Sequence, residues 1–448
     1  MTTVFQVLHH LQPILANARR VVVAYSGGLD STVLLHQVTQ LGLPTITAIH
    51  INHQLSPHSD RWVEHCRTQA LQWGCEFQHH TVDVVIDGKG GEDAAREARH
   101  QVFMDELGEG EVLLTAHHSN DQAETLLFRL LRGAGLRGLA AVPEQRALVA
   151  TGISNSTKAV SNVYRPFLSV SRASIEHYAL QQGLEWVEDE SNVQLDFDRN
   201  YIRHEILPKL VQRWPRAPER IAASAALLAD SERLLNRYLA EDLQRCSPRR
   251  ERVGSSLCLE ALEGFDWNTQ KHLIRYWLVE QGYLLPSQRH MHEVQKLMVA
   301  VEGAQPEVSW GPKWPRDRGA SVYRYQRRLY LLPRLSLREP SPEPLFWDGE
   351  SLCSLGHGFE LGAEPANHGL IPGSYQLRVR RGGERCRPAG RQHSQSLKKL
   401  LQAYGLEPWL RNIVPLIYQQ DTLAAVGDLW ICEGFAHTGG SRLVWRKN

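Results

Sequence analysis

Six residues, Ser26-Gly27-Gly28-Leu29-Asp30-Ser31, follow directly on the apolar run Val21–Tyr25. Two adjacent glycines let a backbone turn tightly and approach a ligand closely. A helix beginning there aims its unpaired N–H groups and partial positive charge at that ligand. Ser26 and Ser31 add hydroxyl donors. The chemistry this pattern suits is phosphate or pyrophosphate binding. It is not a Walker A loop, because the chain has no Gly-x-x-x-x-Gly-Lys-Ser/Thr. The plainer alternative is a glycine turn feeding a helix capped by Asp30.

A second group lies near His117. Val112–Ala116 predicts a buried strand, which puts His117 at its carboxyl end, and a helix is predicted from Asp121 to Leu131. Ala123, Leu126, Leu127, Leu130 and Leu131 fall at helical spacing and predict a buried stripe. Asp121 and Glu124 are three apart, so they neighbour each other at the helix N-terminus. Two carboxylates and a histidine at one strand end suit a cationic amine or a metal ion. The alternative is local: Asp121 caps the helix and Glu124 complements its dipole.

The elements that must position these groups alternate. Val21–Tyr25, Thr45–Ile51, Thr81–Ile86 and Val112–Ala116 predict strands. Ser31–Leu41, Asp60–Trp73, Glu92–Leu107 and Asp121–Leu131 predict helices between and after them. Such alternation predicts an α/β fold, a doubly wound parallel sheet with ligands beyond the carboxyl ends of its strands. Ala150–Asn162 is polar and predicts an exposed loop. The expected division is a catalytic domain over 1–214, a mainly helical domain with a linker over 215–340, and a small mixed α+β domain over 345–448. Ile221–Leu243 and Asn268–Gln281 are the predicted helices of the middle part; 303–345 carries a β pattern, and 338–344 (REPSPEP) reads as a linker. Toward the end, Ser394–Tyr404 predicts a helix, and Thr422–Val426 with Leu429–Glu433 a final hairpin.

The chain of 448 residues carries 50 Lys+Arg and 49 Asp+Glu, a formal net charge of +1. That total hides a segregation. Residues 1–215 hold 18 basic and 24 acidic side chains, whereas 371–448 hold 12 and 5. Within the basic tail, Arg378 and Arg380 are expected on one strand face, followed by Arg385, Arg387, Lys398 and Lys399. Leu397, Leu400, Leu401 and Tyr404 are expected to face inward. Clustered cations of this kind neutralise nucleic-acid phosphates. The seven cysteines are scattered without Cys-x-x-Cys, against a disulfide scaffold, a zinc finger or an iron–sulfur cluster, and suggest a reducing, cytoplasmic setting. No signal peptide and no membrane span are expected. Oligomeric state stays open, a homodimer included.

The loop resembles that of the N-type ATP pyrophosphatase (PP-loop) superfamily, whose members adenylate a carbonyl and release pyrophosphate. Ile49-His50-Ile51-Asn52-His53, Ala95–His100, Thr115–Thr125, Leu131-Arg132-Gly133, Arg165-Pro166-Phe167, Arg172, Glu188–Asn192 and Arg199–Arg203 narrow the resemblance to the tRNA(Ile)-lysidine synthases. The resemblance implies ATP and Mg²⁺ as cofactors, with Ser26, Gly27, Gly28, Leu29, Asp30, Ser31 and Arg99 at ATP and Asp30 at the metal. It implies Asp30, His117, Asp121 and Arg99 as catalytic, and Asp121 and Glu124 at free L-lysine. The implied reaction joins lysine to carbon 2 of the wobble cytidine of a CAU-anticodon isoleucine tRNA, through an adenylated cytidine. That change moves codon reading from AUG to AUA and aminoacylation from methionine to isoleucine. The C-terminal cations then fall to the tRNA. Many relatives carry two aspartates where this chain has Asn120-Asp121, so the role is placed on Asp121. Arg99, Arg165 and Arg203 also read as ordinary helix or surface arginines, and His50 and His53 as strand-end residues. Two rivals remain: another PP-loop enzyme, such as a tRNA thiolase or an amidotransferase synthetase, and a non-enzymatic tRNA-binding protein. The first would need paired cysteines, or a glutaminase domain for which residues 1–20 leave no room. The second would need a decayed ATP site.

Overall fold

The computed structural model describes residues 6–54, 56, 58–82, 91–148, 161–188, 198–300, 306–311, 319–334, 345–356 and 358–447, with backbone alone over 91–97. The chain forms two compact units, Met1–Leu235 and Asn236–Asn448.

In the first unit, α1 (Gln6–His9) and α2 (Gln12–Ala16) precede the alternation β1 (Val21–Ala24), α3 (Leu29–Thr39), β2 (Ile46–Asn52), α4 (Ser59–Gln72), β3 (Glu76–Thr81), α5 (Gly91–Glu106), β4 (Val112–Leu114) and α6 (Ser119–Leu131). Then come α7 (Leu136–Leu139), β5 (Gln145–Leu148), β6 (Ser161–Tyr164), α8 (Arg172–Gln182), α9 (Asp198–Tyr201), α10 (Leu207–Arg213) and α11 (Ala217–Arg245). A π-helical turn, Ile202–Ile206, joins α9 to α10.

The sheet has six strands in the order β3-β2-β1-β4-β6-β5. β1 pairs in parallel with both β2 and β4, so the chain reverses its direction of winding between them. A crevice opens at such a switch point. β1 and β4 are apolar throughout, as strands covered on both faces must be. Val21, Val23, Leu34, Leu35, Leu114 and Phe167 fill one side of the sheet. Val22, Ile49, Leu113 and Val163 fill the other.

Three local expectations change. The third strand runs Glu76–Thr81 rather than Thr81–Ile86, because an edge strand half open to water needs no apolar run; 83–90 lie outside the described residues. The polar loop closes earlier: 149–160 are likewise outside, and Ser161 already opens β6. β6 is parallel to β4, but β5 turns back antiparallel beside it and makes a mixed edge. On α6, Ala123 is buried, but Leu130 and Leu131 are exposed because the helix end projects beyond its packing partners.

In the second unit, the β pattern of the 303–345 stretch becomes Glu307–Trp310, Ala320–Tyr325 and Arg328–Pro333. They join Arg249–Arg250 and Ser255–Cys258 in a five-stranded antiparallel sheet. Helices Leu259–Glu263, Trp267–Glu280 and Gln288–Met298 accompany it. The linker reading of 338–344 falls outside the described residues. Further on, Leu345–Trp347, Tyr375–Arg378, Leu416–Gln419, Thr422–Val426 and Trp430–Ile431 form a second antiparallel sheet. The hairpin expected at Gly427-Asp428 is present, with Val426 opposite Trp430. It is not the last: Ala436–Thr438 and Ser441–Lys447 follow and pair with the long strand Phe359–Leu370. Helix Leu397–Tyr404 buries Leu397, Leu400 and Leu401, whereas Tyr404 in its last turn is exposed.

Candidate active site at the β1–β4 crevice

The loop after β1 is tied by its own hydrogen bonds. The Ser26 N–H donates to Ser31 Oγ at 3.2 Å, and the Ser31 hydroxyl donates to the Gly28 carbonyl at 3.0 Å. The Thr32 hydroxyl donates to the Gly27 carbonyl at 3.3 Å, which the Val187 N–H also reaches at 2.9 Å. No side chain caps α3, whose N-cap is Gly28. Its first N–H groups therefore face the crevice without a side-chain acceptor, the usual anion-binding arrangement.

Gly27 is required twice over. Its φ is +82°, and a Cβ there would sit 2.6 Å from the Sγ of Cys66, which is fully buried under the loop. Gly27→Ala should therefore lower stability by about 1–3 kcal/mol through backbone strain and overpacking. Adding Cys66→Ala should recover only the packing share. Urea unfolding of the two variants checks this.

From β4 the chain enters α6 through His117 and His118. His118 is the N-cap: its Nδ1 accepts from the Asp121 N–H at 3.4 Å, and Asp121 Oδ2 accepts from the His118 N–H at 3.0 Å. The local reading of Asp121 as a capping residue thus holds. Asp121 also does more. His118 Nε2 lies 3.6 Å from Asp121 Oδ2 and 3.6 Å from Asp30 Oδ1, so this imidazole joins the two carboxylates across the crevice. Burial disfavours charging His118, yet Asp121 and Asp30 outweigh it and raise its pKa. Burial likewise works to raise Asp121, but His118, His117 and Arg203 hold its carboxyl below the ordinary value. His117 instead turns to Thr115, with Nδ1 3.0 Å from the hydroxyl.

Arg203, on the π-helical turn, completes the cluster. Its Nε donates to Glu124 Oε1 at 2.7 Å and its Nη2 to Glu124 Oε2 at 2.9 Å, a bidentate fork. Nη2 also reaches Asp121 Oδ1 at 3.4 Å. Glu124 is 1% exposed; burial raises its carboxyl above the ordinary value despite the opposing guanidinium. The carboxylates of Asp30, Asp121 and Glu124 therefore share the charges of Arg203 and His118, with His117 acting on Asp121 and Arg199 on Glu124. A cleft of about 170 Å³ opens beside them, lined by His118, Asn120, Glu124, Arg172, Arg203 and Leu207. Asn120 does not face Asp30: its Oδ1 accepts from the Arg172 N–H at 3.3 Å.

Asp30 fits a hard cation. Its Oδ1 is buried with no hydrogen-bond partner. Among the described residues no group of three or more His, Cys, Asp or Glu could hold a metal alone. One or two carboxylates plus substrate phosphates is the common Mg²⁺ arrangement.

The other expected residues are dispersed. Arg99 is exposed on α5, near enough to His53 that, after burial, its charge lowers the His53 pKa. Arg165 is buried and donates to the Pro143 carbonyl at 2.7 Å. His50 Nδ1 lies 3.0 Å from the Tyr25 carbonyl and so ties β2 to the residue before the loop. Asp189–Asn192 lie outside the described residues. In the second unit, Arg378 ends its strand, stacks on Tyr418 at 4.5 Å and pairs with Asp421 at 3.2 Å. Arg380 lies beyond the strand and does not share its face; Glu384 holds it at 3.8 Å. Arg385, Arg387, Lys398 and Lys399 are exposed. The residues sequence reasoning undervalued are His118 and Arg203; a His-x-x-Asp capping pattern was the available signal for the first.

Three family models match the chain: a PP-loop domain over residues 2–210, a TilS substrate binding domain over 257–330, and a TilS substrate C-terminal domain over 375–445. The chain is 36% identical over 427 residues to the tRNA(Ile)-lysidine synthase of Coxiella burnetii, covering 93% of this chain and 90% of that one. It is 38% identical over 440 residues to that of Pseudomonas aeruginosa, covering 94% and 92%. With the Serratia proteamaculans protein of the same name it shares 37% over 447 residues, covering 96% of each.

Proposed function

The chain belongs to the tRNA(Ile)-lysidine synthase family, and we propose that the β1–β4 crevice is where its residues carry out that family's reaction. The substrates are ATP, a CAU-anticodon isoleucine tRNA and free L-lysine. The observation that carries this reading is the meeting of Asp30 and Asp121 across His118, at 3.6 Å each. It joins a phosphate-binding loop to a carboxylate pocket.

Ser26–Ser31 and the N–H groups of α3 hold the ATP phosphates, with Arg99 as an added cation. The wobble cytidine enters unstacked, because its carbon-2 oxygen must reach the α-phosphorus. That oxygen attacks, pyrophosphate leaves, and His117 assists the adenylation. Asp121 and Glu124 set the lysine ammonium beside the cleft. The side-chain amine, once deprotonated, attacks carbon 2 and expels AMP. The pocket must exclude water, since the activated base hydrolyses. Asp30 would hold Mg²⁺, which neutralises phosphate charge when bound. A cytoplasmic setting fits seven cysteines without a disulfide. No helix among the described residues is long and apolar enough to cross a membrane. We assign catalysis to 1–214, substrate binding to 215–340 and tRNA contact to 345–448. A homodimer is compatible with this scheme and is tested by the mass in solution.

Purified protein with ATP, labelled lysine and a transcript of this tRNA should give label in the wobble base. No transfer across a Mg²⁺ series overturns the reading. Arg385, Arg387, Lys398 and Lys399 are exposed cations of the tail. Replacing all four by Gln should reduce the salt slope of tRNA binding by about 4, one for each phosphate left without its cation. Replacing Arg378 and Arg380 should change it less, since each is held by a carboxylate. Filter binding across a salt series checks both.

A further inference from the structure

Two thiols meet beneath the basic turn of the second unit, and the reaction above uses neither. Cys386 ends the strand Arg385–Cys386, and Cys432 follows the strand Trp430–Ile431. The two segments run antiparallel. The Glu433 N–H donates to the Arg387 carbonyl at 2.7 Å, the Ala389 N–H donates to the Ile431 carbonyl at 2.9 Å, and Pro388 lies opposite Cys432. Cys386 is two residues before Pro388, hence on the same face and diagonal to Cys432. The Trp430 indole N–H donates to Cys386 Sγ at 3.4 Å, and each thiol acts on the acidity of the other. Cys386 is 6% exposed and Cys432 4%.

Cys386 differs from the buried thiols outside the pair. Burial pushes Cys66 up to about 12, and Cys75 and Cys246 up to about 11, which makes them inert. The neighbouring Cys432 thiol, set against burial and aided by Trp430 and Arg391, holds Cys386 down to about 7. Cys432 is pushed the other way by Cys386 and by burial. One thiol is thus the nucleophile and its neighbour the resolving partner.

We propose that Cys386 and Cys432 are a reversible dithiol that a low-molecular-weight disulfide closes, and that closure shifts the basic turn that meets tRNA. The Cys386 thiolate attacks one sulfur of the oxidant, forming a mixed disulfide and breaking the oxidant's S–S bond. The first thiol leaves with the proton Cys386 gave up. Cys432 then attacks the Cys386 sulfur and expels the second thiol, which takes the Cys432 proton. Two electrons pass from the protein to the oxidant. Diagonal cross-strand residues have Cα atoms ~7–8 Å apart, whereas a disulfide needs less than about 6.8 Å. Closure therefore moves the Arg385–Pro388 backbone by ~1 Å. Arg385 and Arg387 flank Cys386, point to the opposite face and move with it. The effect on tRNA rests on the tail reading above; the crosslink does not.

The test uses the full chain. It is treated with glutathione disulfide, alkylated, digested and analysed by mass, then titrated with tRNA at several salt concentrations. The expected result is a Cys386–Cys432 crosslink that dithiothreitol reverses, with the other five cysteines alkylated. Oxidation should weaken tRNA binding about tenfold and reduce the salt slope by about 2. Cys386→Ser and Cys432→Ala should each remove the sensitivity, while the wild-type crosslink needs no variant to be read. An adduct that stops on Cys386 without a crosslink overturns the proposal. So does a crosslink that leaves binding unchanged. In that case, weakening by Arg385→Ala and Arg387→Ala would spare the tRNA reading of the turn, and no weakening would sink both.

Discussion

Arg203→Ala should destabilise the first unit by about 3–5 kcal/mol and abolish lysine transfer. That range is what removing one partner of a buried ion pair costs, because the other charge is left without compensation. Here the stranded partner is Glu124, at 1% exposure, with both oxygens engaged by Arg203. The size of the loss should depend on pH. Burial already raises the Glu124 carboxyl above 4.5, and losing the guanidinium raises it further. A carboxyl with a raised folded value gains a proton on folding, so folding is favoured as pH falls. The gap to the parent protein should therefore be small near pH 4.5, the unfolded value, and widen as pH rises through the raised one. Urea unfolding at pH 5, 6.5 and 8 reads this directly. A gap that narrows with rising pH would contradict the assignment of the pair. The double variant Arg203→Met with Glu124→Leu should recover most of the stability, since apolar replacements of a buried pair are often neutral, but none of the activity.

Parts of the site that close through local geometry were legible in the sequence. Strand, two glycines and helix are contiguous, so Val21–Ser31 carried its own context. Helical spacing alone placed Asp121 beside Glu124. Their fork with Arg203 spans 79 residues, and no spacing rule reaches that far. His118 was undervalued for a different reason. Successive side chains in an extended segment point to opposite sides. Which one lies between Asp30 and Asp121 is a matter of parity, set here by the cap that His118 makes with Asp121. The basic tail shows a third limit. Charge counting found the cations, but Glu384 and Asp421 decide which are already engaged. The antiparallel β5–β6 edge was missed because much of the segment is polar and looks like a loop.

Asp30→Ala should separate function from stability, where Arg203→Ala joins them. Asp30 lies in the first turn of α3, and its Oδ1 makes no hydrogen bond. Its folded-state value is then that of an acidic residue near a helix N-terminus, about 0.3–1 kcal/mol, together with its contact with the buried His118 at 3.6 Å. Removing it also relieves its proximity to the Asp121 carboxylate across His118, which offsets part of that loss. The melting temperature should move by no more than a few degrees. ATP–pyrophosphate exchange in the presence of tRNA should nonetheless fall on the order of 10²–10³-fold, the scale for losing one group aimed at developing charge. An orphaned buried oxygen is costly to keep unless a ligand uses it, and a cation on the phosphates is the ligand that fits. Asp30→Asn sharpens the test: it keeps the shape and one oxygen but removes the charge, and should lose nearly as much exchange. If Asp30→Asn retained full exchange, charge at this position would not matter and the crevice would not be an adenylation site. If Asp30→Ala instead unfolded the protein, the carboxylate would be a structural group, and the contact between Asp30 and His118 would belong to the fold.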